Sequence, residues 1–106
     1  MKSATQVQRW TEKEILKTLA TRSQELRKMG VRKLGLFGSY LYGTAREGSD
    51  MDFLVVLARP SFDDYMDIKF FLEDLFQCQV DLVIEENLKV GLRPYILSEV
   101  KYVSGL

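Results

Sequence analysis

The amino-acid sequence predicts a single α/β domain of the α+β kind, because helical and strand patterns share one short chain. Two segments carry apolar residues at helical spacing, and three others are short apolar runs typical of strands. With 106 residues, the chain can build one hydrophobic core but not a second. We therefore expect one domain over residues 1–106, in which residues 1–10 have no clear pattern and are frayed.

The first helix is predicted from its capping sequence. Thr11 stands in the N-cap position with Glu14 three residues later, which is the spacing of a capping box. Trp10 and Ile15 are placed to form a hydrophobic staple around the first turn. Apolar residues then recur at helical spacing as far as Met29, and the glycine that follows can end the helix in the left-handed conformation.

Two strands with a short helix between them are predicted next. The sequences VRKLGLF, residues 31–37, and MDFLVVL, residues 51–57, are apolar runs, and the second is continuous enough for a central strand. Between them, residues 40–45 have room for a short helix and residues 47–49 for a turn. This part of the chain is therefore expected to form a strand, a helix and a strand.

The rest of the chain repeats this alternation. Pro60 breaks the chain, and Ser61 with Asp64 repeats the capping signal before a helix with one apolar face. The sequence QVDLVI, residues 79–84, predicts a third strand. The final segment LRPYILSEVKYV begins well as a helix with proline in its first turn, and is expected to finish as a short strand.

The composition excludes several classes of protein. With 46% hydrophobic and 28% charged residues, the chain resembles a soluble globular protein, and 15 basic against 15 acidic residues predict no general attraction to nucleic acid. The sequence shows no membrane span and no signal peptide, so we expect a cytoplasmic protein. Histidine is absent, which excludes Ser-His-Asp and Cys-His catalysis and leaves carboxylate chemistry. The single cysteine, Cys78, is interpreted as a small apolar packing residue.

Acidic residues occur where the strands are otherwise apolar. Asp50 and Asp52 lie two residues apart at the start of a strand, so their side chains point to the same face. Such neighbours repel each other unless a cation lies between them, although an accidental surface pair gives the same pattern. Asp81 joins them if the third strand lies beside the second; otherwise it is an edge acid that points to water. Three convergent carboxylates can hold two Mg²⁺ ions for phosphoryl transfer.

A glycine and a serine stand where the first strand gives way to the short helix. Backbone N–H groups at Gly38 and Ser39, together with the serine hydroxyl, can bind an anion. Glycine also lets phosphate oxygens approach the main chain closely. An ordinary turn would explain an isolated Gly-Ser pair equally well.

These residues together form a longer motif. The sequence GSYLYGTAREGSDMD, residues 38–52, fits the pattern G-S-x10-D-x-D of the nucleotidyltransferase superfamily, which includes DNA polymerase beta. It most closely resembles the minimal nucleotidyltransferases, or MNT proteins, and the resemblance covers nearly the whole chain. The resemblance implies a minimal polymerase beta-like fold, in which helices flank a small mixed sheet.

The resemblance also implies roles for the acids of the motif. Asp50, Asp52 and Asp81 would be the catalytic residues and the ligands of Mg²⁺, with two ions expected. The metal ions would then face phosphates bound at the Gly-Ser turn, which explains why acids occupy the mouth of a buried strand.

Nucleotide contacts are implied at other positions of the motif. Gly38 and Ser39 would bind the triphosphate of the nucleotide. Ser49 matches a family position that can help to fix the turn, and Arg46 matches one that can reach a phosphate. Ser49 is equally expected to be an ordinary turn residue, however, and Arg46 a solvated side chain. Tyr42 departs from the family pattern, because many members carry arginine there.

The function implied by the resemblance is that of an antitoxin enzyme. MNT proteins are paired with HEPN-domain toxins, so we expect transfer of AMP from ATP to a toxin hydroxyl, a tyrosine, within a hetero-oligomer. Two alternatives are a non-catalytic antitoxin that occludes its partner and a small-molecule nucleotidyltransferase that modifies antibiotics. Direct nucleic-acid binding is a further alternative, disfavoured by the zero net charge, through the basic residues Arg27, Lys28, Arg32 and Lys33.

Overall fold

The computed structural model describes residues 10–59 and 61–106. The helices are α1 (Glu12–Thr21), α2 (Ser23–Lys28), α3 (Ser39–Tyr42), α4 (Phe62–Phe76) and α5 (Arg93–Glu99). The strands are β1 (Val31–Phe37), β2 (Met51–Leu57), β3 (Val80–Ile84) and β4 (Lys101–Tyr102), and a 3₁₀ turn covers Glu85–Asn87. The predicted α/β class is confirmed. The break expected at Pro60 lies outside the described residues.

The four strands form one mixed sheet in the order β3-β2-β1-β4. The central strand β2 is antiparallel to β1 and parallel to β3, and β4 is antiparallel to β1. Because parallel neighbours need a crossover connection, α4 returns the chain from the end of β2 to the start of β3. This confirms the small mixed sheet and the central position predicted for residues 51–57.

Helices α1, α2 and α4 cover one face of the sheet, which we call the helix face. Phe53 of β2 stacks on Phe76 of α4 at 6.1 Å between ring centroids. Trp10 meets the same Phe76 ring edge-on at 4.9 Å and donates its indole N–H to the Phe76 carbonyl at 3.0 Å. The expectation of fraying was therefore wrong at Trp10, because its ring is packed and hydrogen-bonded; residues 1–9 lie outside the described part.

The caps predicted from the sequence are present. The Glu14 N–H donates to Thr11 Oγ1 at 3.1 Å, and the Thr11 N–H donates to Glu14 Oε1 at 2.9 Å. Ser61 Oγ accepts the Asp64 N–H at 3.0 Å, and α5 has proline in its first turn. The short helix predicted over residues 40–45 is instead Ser39–Tyr42, because the glycine after it takes the left-handed conformation.

The first helix is interrupted, which corrects the prediction of one helix continuing to Met29. Arg22 leaves the helical conformation at φ −109°, ψ 15°, and divides α1 from α2. Just before it, the Thr21 hydroxyl donates to the Thr18 carbonyl at 2.6 Å, and such side-chain bonds compete with helix backbone bonds. The Leu26 N–H donates to the Arg22 carbonyl at 3.0 Å, so a helix resumes at once and Leu26 still reaches the core.

The opposite face of the sheet is covered at one end only, and we call it the site face. Leu54 of β2 is fully buried there and pairs with Gly35 of β1. A Cβ at Gly35 would lie 2.4 Å from the Val100 side chain, so the C-terminal segment packs directly on the sheet. The end of the site face where β2 and β3 begin carries the acidic residues instead.

No helix among the described residues has the length and apolar character needed to cross a membrane.

Candidate active site

The sheet brings two of the predicted acids side by side. Strands β2 and β3 are parallel and in register, so Asp52 pairs with Asp81. On its other side Asp52 pairs with Phe37, the last residue of β1 before the Gly-Ser turn. Asp50 is exposed and directly precedes β2. The expectation that the third strand lies beside the second is therefore confirmed.

The Gly-Ser turn lies against the Asp52 carboxylate. Gly38 has φ +78° and ψ −155°, a backbone conformation that residues with a Cβ rarely adopt. A Cβ at Gly38 would lie 2.1 Å from Asp52 Oδ2. Both the backbone conformation and the space at this position therefore require glycine, and the requirement holds the turn in contact with the acid.

Helix α3 fixes the position of Ser39. The Gly38 carbonyl accepts the Leu41 N–H at 3.0 Å, and the Ser39 carbonyl accepts the Thr44 N–H at 3.0 Å. Gly43 ends the helix in the left-handed conformation at φ 73°, ψ 20°. Ser39 thus stands at the first position of a single closed turn, immediately beside the carboxylates.

Negative charge is concentrated at this end of the sheet. The pKa of Asp52 is raised to about 6, first by its partial burial, then by the charges of Asp81 and Asp50, and by a hydrogen bond to Asp81. Two negative neighbours and partial desolvation make the ionised form of Asp52 costly. A site with this property favours a bound cation.

The residues present fit Mg²⁺ by their chemistry, because Mg²⁺ prefers carboxylate oxygen ligands. Asp52 and Asp81 are adjacent and Asp50 is close enough to act on the pKa of Asp52. Within residues 10–59 and 61–106, however, no three His, Cys, Asp or Glu side chains are grouped closely enough to hold one ion. The fit therefore rests on the Asp52–Asp81 pair with Asp50 beside it.

Cys78 lies nearby but is not an activated nucleophile. Burial raises the pKa of its thiol, and the carboxylates of Asp50 and Glu73 raise the pKa further. The thiolate is the reactive form of cysteine, so this environment keeps Cys78 unreactive. The structure thus agrees with its interpretation as a packing residue.

Ser49 and Arg46 form a closed turn next to the acids. Ser49 Oγ accepts the Arg46 N–H at 2.9 Å, and the Ser49 N–H donates to the Arg46 carbonyl at 2.9 Å. Both residues line a cleft of about 820 Å³ that has Trp10 and Phe76 on another wall. The three aspartates are not among the described lining residues of that cleft, although Ser49 directly precedes Asp50 in the chain.

A contact between Tyr42 and Glu99 borders the site and was not predicted from the sequence. The Tyr42 hydroxyl donates to the Glu99 carboxylate of α5, and this hydrogen bond is the main cause that raises the pKa of Tyr42. The contact connects the Gly-Ser helix to the C-terminal segment. Both residues are exposed and far apart in the chain, so no periodicity or spacing in the sequence could have revealed the pair.

The basic cluster lies away from the acids. Arg27, Lys28, Arg32 and Lys33 are exposed around the start of β1, whereas Gly38 follows its end. Arg27 donates to the Gly105 carbonyl, and Lys33 Nζ lies 5.3 Å from the ring centroid of Tyr102. Contacts within the chain thus engage two of the four residues proposed for nucleic-acid binding.

Comparison with known proteins agrees with this geometry. The sequence profile of a family described as nucleotidyltransferase domain matches residues 13–103. The protein adenylyltransferase MntA of Thermococcus cleftensis is 42% identical over 95 residues, which are 88% of this chain and 96% of that protein.

Solved structures share the fold. A minimal nucleotidyltransferase superimposes with a TM-score of 0.68 at 34% identity, covering 81% of this chain and 93% of that one. A chain from the complex of tri-AMPylated Shewanella oneidensis HEPN toxin with MNT antitoxin superimposes with a TM-score of 0.60 at 20% identity, covering 86% of this chain and 73% of that one.

Proposed function

This chain belongs to the nucleotidyltransferase domain family, as one of its minimal members, and from that premise we propose that it is an antitoxin that modifies its toxin. It transfers AMP from ATP to a tyrosine hydroxyl of a cognate HEPN toxin in the cytoplasm and releases pyrophosphate. The observation that carries this proposal is the in-register pair of Asp52 and Asp81 beside the Gly38 turn. Carboxylates and a phosphate-binding turn are the parts that nucleotidyl transfer requires.

The turn binds the donor nucleotide in this proposal. Because Gly38 has no Cβ, the triphosphate can approach its backbone N–H group closely, and the Ser39 hydroxyl donates a further hydrogen bond. Ser49 keeps the following loop closed, and the exposed Arg46 side chain reaches a phosphate from its own side of the loop. These contacts orient the α-phosphorus toward the acids.

The acids serve both partners of the reaction. Asp50, Asp52 and Asp81 would hold two Mg²⁺ ions, which supply positive charge to the phosphates when bound. Asp81 is exposed on the edge strand β3 and accepts the proton of the incoming hydroxyl. The hydroxyl oxygen bonds to the α-phosphorus as the bond from that phosphorus to the bridging oxygen breaks, and pyrophosphate leaves with that oxygen.

The choice of acceptor is supported by related proteins. The relative from Thermococcus cleftensis is a protein adenylyltransferase, and the MNT antitoxin of similar fold is found with a tri-AMPylated HEPN toxin. We propose the same kind of partner here, held in a hetero-oligomer.

Labelled ATP and the proposed cognate HEPN toxin as acceptor provide the test. We expect Mg²⁺-dependent transfer of label to the HEPN protein, and loss of transfer in the double variant Asp50→Asn, Asp52→Asn. A matched control is Glu25→Gln, which changes an exposed acid on α2 that is paired with Arg22. Tryptic mapping of the product should place AMP on tyrosine.

Other outcomes identify the alternatives. Transfer by the double variant at the wild-type rate would overturn the assignment of these acids. Tight binding without transfer would mean that the chain neutralises by occlusion. Transfer to an aminoglycoside but not to the HEPN protein would favour a small-molecule enzyme.

A further inference from the structure

The outer face of α4 carries large apolar side chains that the described chain leaves uncovered. Phe62 is 76% exposed and Phe70 is 57% exposed. Met66 lies midway between them, and residues four apart on a helix share one side of it. We call these three residues, Phe62, Met66 and Phe70, the α4 surface. Contiguous apolar patches on a protein surface commonly mark interaction sites.

A groove continues this surface toward the sheet. It has a volume of about 500 Å³, with Phe62 and Tyr65 on the helix side and residues 82–84 of β3 on the other. Phe62 belongs to both the groove and the α4 surface. The two features therefore form one continuous apolar area, which can receive side chains from another molecule.

The occupant is not an added strand, although β3 lies at the edge of the sheet. The Tyr65 hydroxyl donates to the Leu82 carbonyl at 2.6 Å, and the Val80 N–H donates to Glu73 Oε2 at 3.1 Å. Side chains of α4 thus already form hydrogen bonds with the β3 main-chain groups that an added strand would need. An amphipathic helix fits better, because it contributes side chains and keeps its own backbone bonds satisfied.

Charge indicates the chemistry of that helix. Asp63, Asp67 and Asp74 are exposed in a row beside the α4 surface, and α4 contains five acidic residues against one basic residue. Within the described part of the chain, none of these three aspartates forms an ion pair. The complementary partner is basic beside its apolar stripe. A second copy using the same face would instead place these acids against one another.

The location relates the surface to the active site. Strand β3 lines the groove through residues 82–84 and carries Asp81 one residue earlier. Asp81 points to the opposite face of that strand, so a protein docked here reaches around the β3 edge of the sheet to bring its hydroxyl to the acids. We infer that the α4 surface and its groove are the docking site for the protein that receives AMP, through an amphipathic helix flanked by Lys or Arg. This inference rests on the proposed function.

Binding measurements test the inference directly. The probe is the proposed cognate HEPN toxin, titrated calorimetrically without ATP into the wild type and into the double variant Phe62→Ser, Phe70→Ser. Truncating aromatic side chains at an interface centre should weaken binding by about tenfold or more. The matched control is Val90→Ser, which removes a side chain that is 87% exposed outside the α4 surface and should leave the Kd unchanged.

Charge provides a second, independent measurement. The variant Asp63→Asn, Asp67→Asn should weaken binding of the same HEPN protein and should reduce the dependence of the Kd on salt concentration. All variants should melt at the wild-type temperature and bind a nonhydrolysable ATP analogue normally, because the substituted side chains are exposed and distant from the Gly-Ser turn.

The outcomes separate this inference from the proposed function. If transfer to the HEPN protein depends on Asp50 and Asp52 but the phenylalanine variant binds it normally, the docking site is wrong and the function stands. If that variant loses binding and the wild type transfers no AMP, the docking site stands and the function is wrong. A wild-type dimer that the phenylalanine variant converts to monomer would assign the surface to a second copy and overturn the inference.

Discussion

The helix face and the site face of the sheet differ most sharply at two adjacent residues of β2. Phe53 points to the helix face, is fully buried and stacks on Phe76. Asp52 points to the site face, is only partly buried and lies beside a second carboxylate. One strand thus alternates between a side chain that stabilises the fold and one that destabilises it. Packing on the helix face therefore has to provide the free energy of folding that offsets the repulsion between the acids on the site face.

The site face is itself divided along its length. At one end Leu54 is fully buried and the C-terminal segment packs on Gly35, its partner in β1. At the other end Asp52 and Asp81 remain beside the Gly-Ser turn. An active site needs an accessible surface next to a rigid support, and here the covered half of the same face provides that support.

The largest effect on stability is expected from the helix face. Phe53→Ala should lower the free energy of unfolding by about 3–5 kcal/mol, because it leaves a cavity against Phe76. The control Phe70→Ala removes the same ring from an exposed position, and should change the free energy of unfolding by less than about 0.5 kcal/mol. Urea titration followed by circular dichroism measures both. Equal losses in the two variants would show that burial does not distinguish these positions.

A ligand should strengthen the site face. Mg²⁺ with a nonhydrolysable ATP analogue should raise the melting temperature, and at a hundred times the Kd it should add about 2.7 kcal/mol. The physical reason is that cations relieve repulsion among the three aspartates while the turn binds phosphate. Differential scanning fluorimetry measures the shift, with Mg²⁺ alone and analogue alone as controls. No shift at saturating concentrations would contradict a nucleotide site here.

Two glycines of the same short helix should respond differently to alanine. Gly38→Ala should abolish transfer and destabilise the fold by about 1–3 kcal/mol, because its Cβ meets Asp52 in a strained conformation. Gly43 has a similar φ of +73°, but nothing lies within 4 Å of an added Cβ. Gly43→Ala should therefore cost about 1 kcal/mol and retain transfer. If both variants lost transfer, the loss would have to be explained by backbone strain at the two glycines and not by contact of an added Cβ with Asp52.

The sequence predicted the elements of this fold closely because their signals are local. The bounds of β1 and β2 were predicted correctly, and β3 begins at Val80, one residue later than predicted. The break at Arg22 was missed because its cause, a threonine bonding to its own helix, does not alter the apolar periodicity. The firm placement of Trp10 was missed because its partner Phe76 lies far away in the chain.

The candidate site was predictable to the extent that its spacing is fixed in the sequence. The separation of Gly38 from Asp50 and Asp52 gave the motif, and the strand pattern suggested where Asp81 could lie. The contact of Tyr42 with Glu99 depends on how α5 packs, so it could only be found in three dimensions. The same holds for the cleft that Arg46 and Ser49 line together with Trp10 and Phe76, which the motif alone does not predict.

The smallest effect, and the most specific to the contrast between the faces, is the pH dependence of stability at Asp52. Its folded-state pKa of about 6 lies above the ordinary value of 3.8, so the folded protein binds this proton more tightly than the unfolded chain does. The free energy of unfolding contributed by this proton therefore falls as pH rises between these two values, and the full cost of ionising the folded Asp52 carboxyl is reached only above its folded-state pKa.

In EDTA at pH 8, Asp52→Asn should be more stable than the wild type by about 1 kcal/mol, after allowance for solvent screening of a half-buried group. Below about pH 3 the two proteins should be equally stable, because the Asp52 side chain is then uncharged in both the folded and the unfolded state. The matched control is Asp63→Asn, which removes an exposed carboxylate of α4 away from the site face. If Asp52→Asn is instead less stable than the wild type at pH 8, the Asp52 carboxylate stabilises the folded state. The acids of the site face would then not lower the free energy of unfolding, and the proposed contrast with the helix face would be wrong.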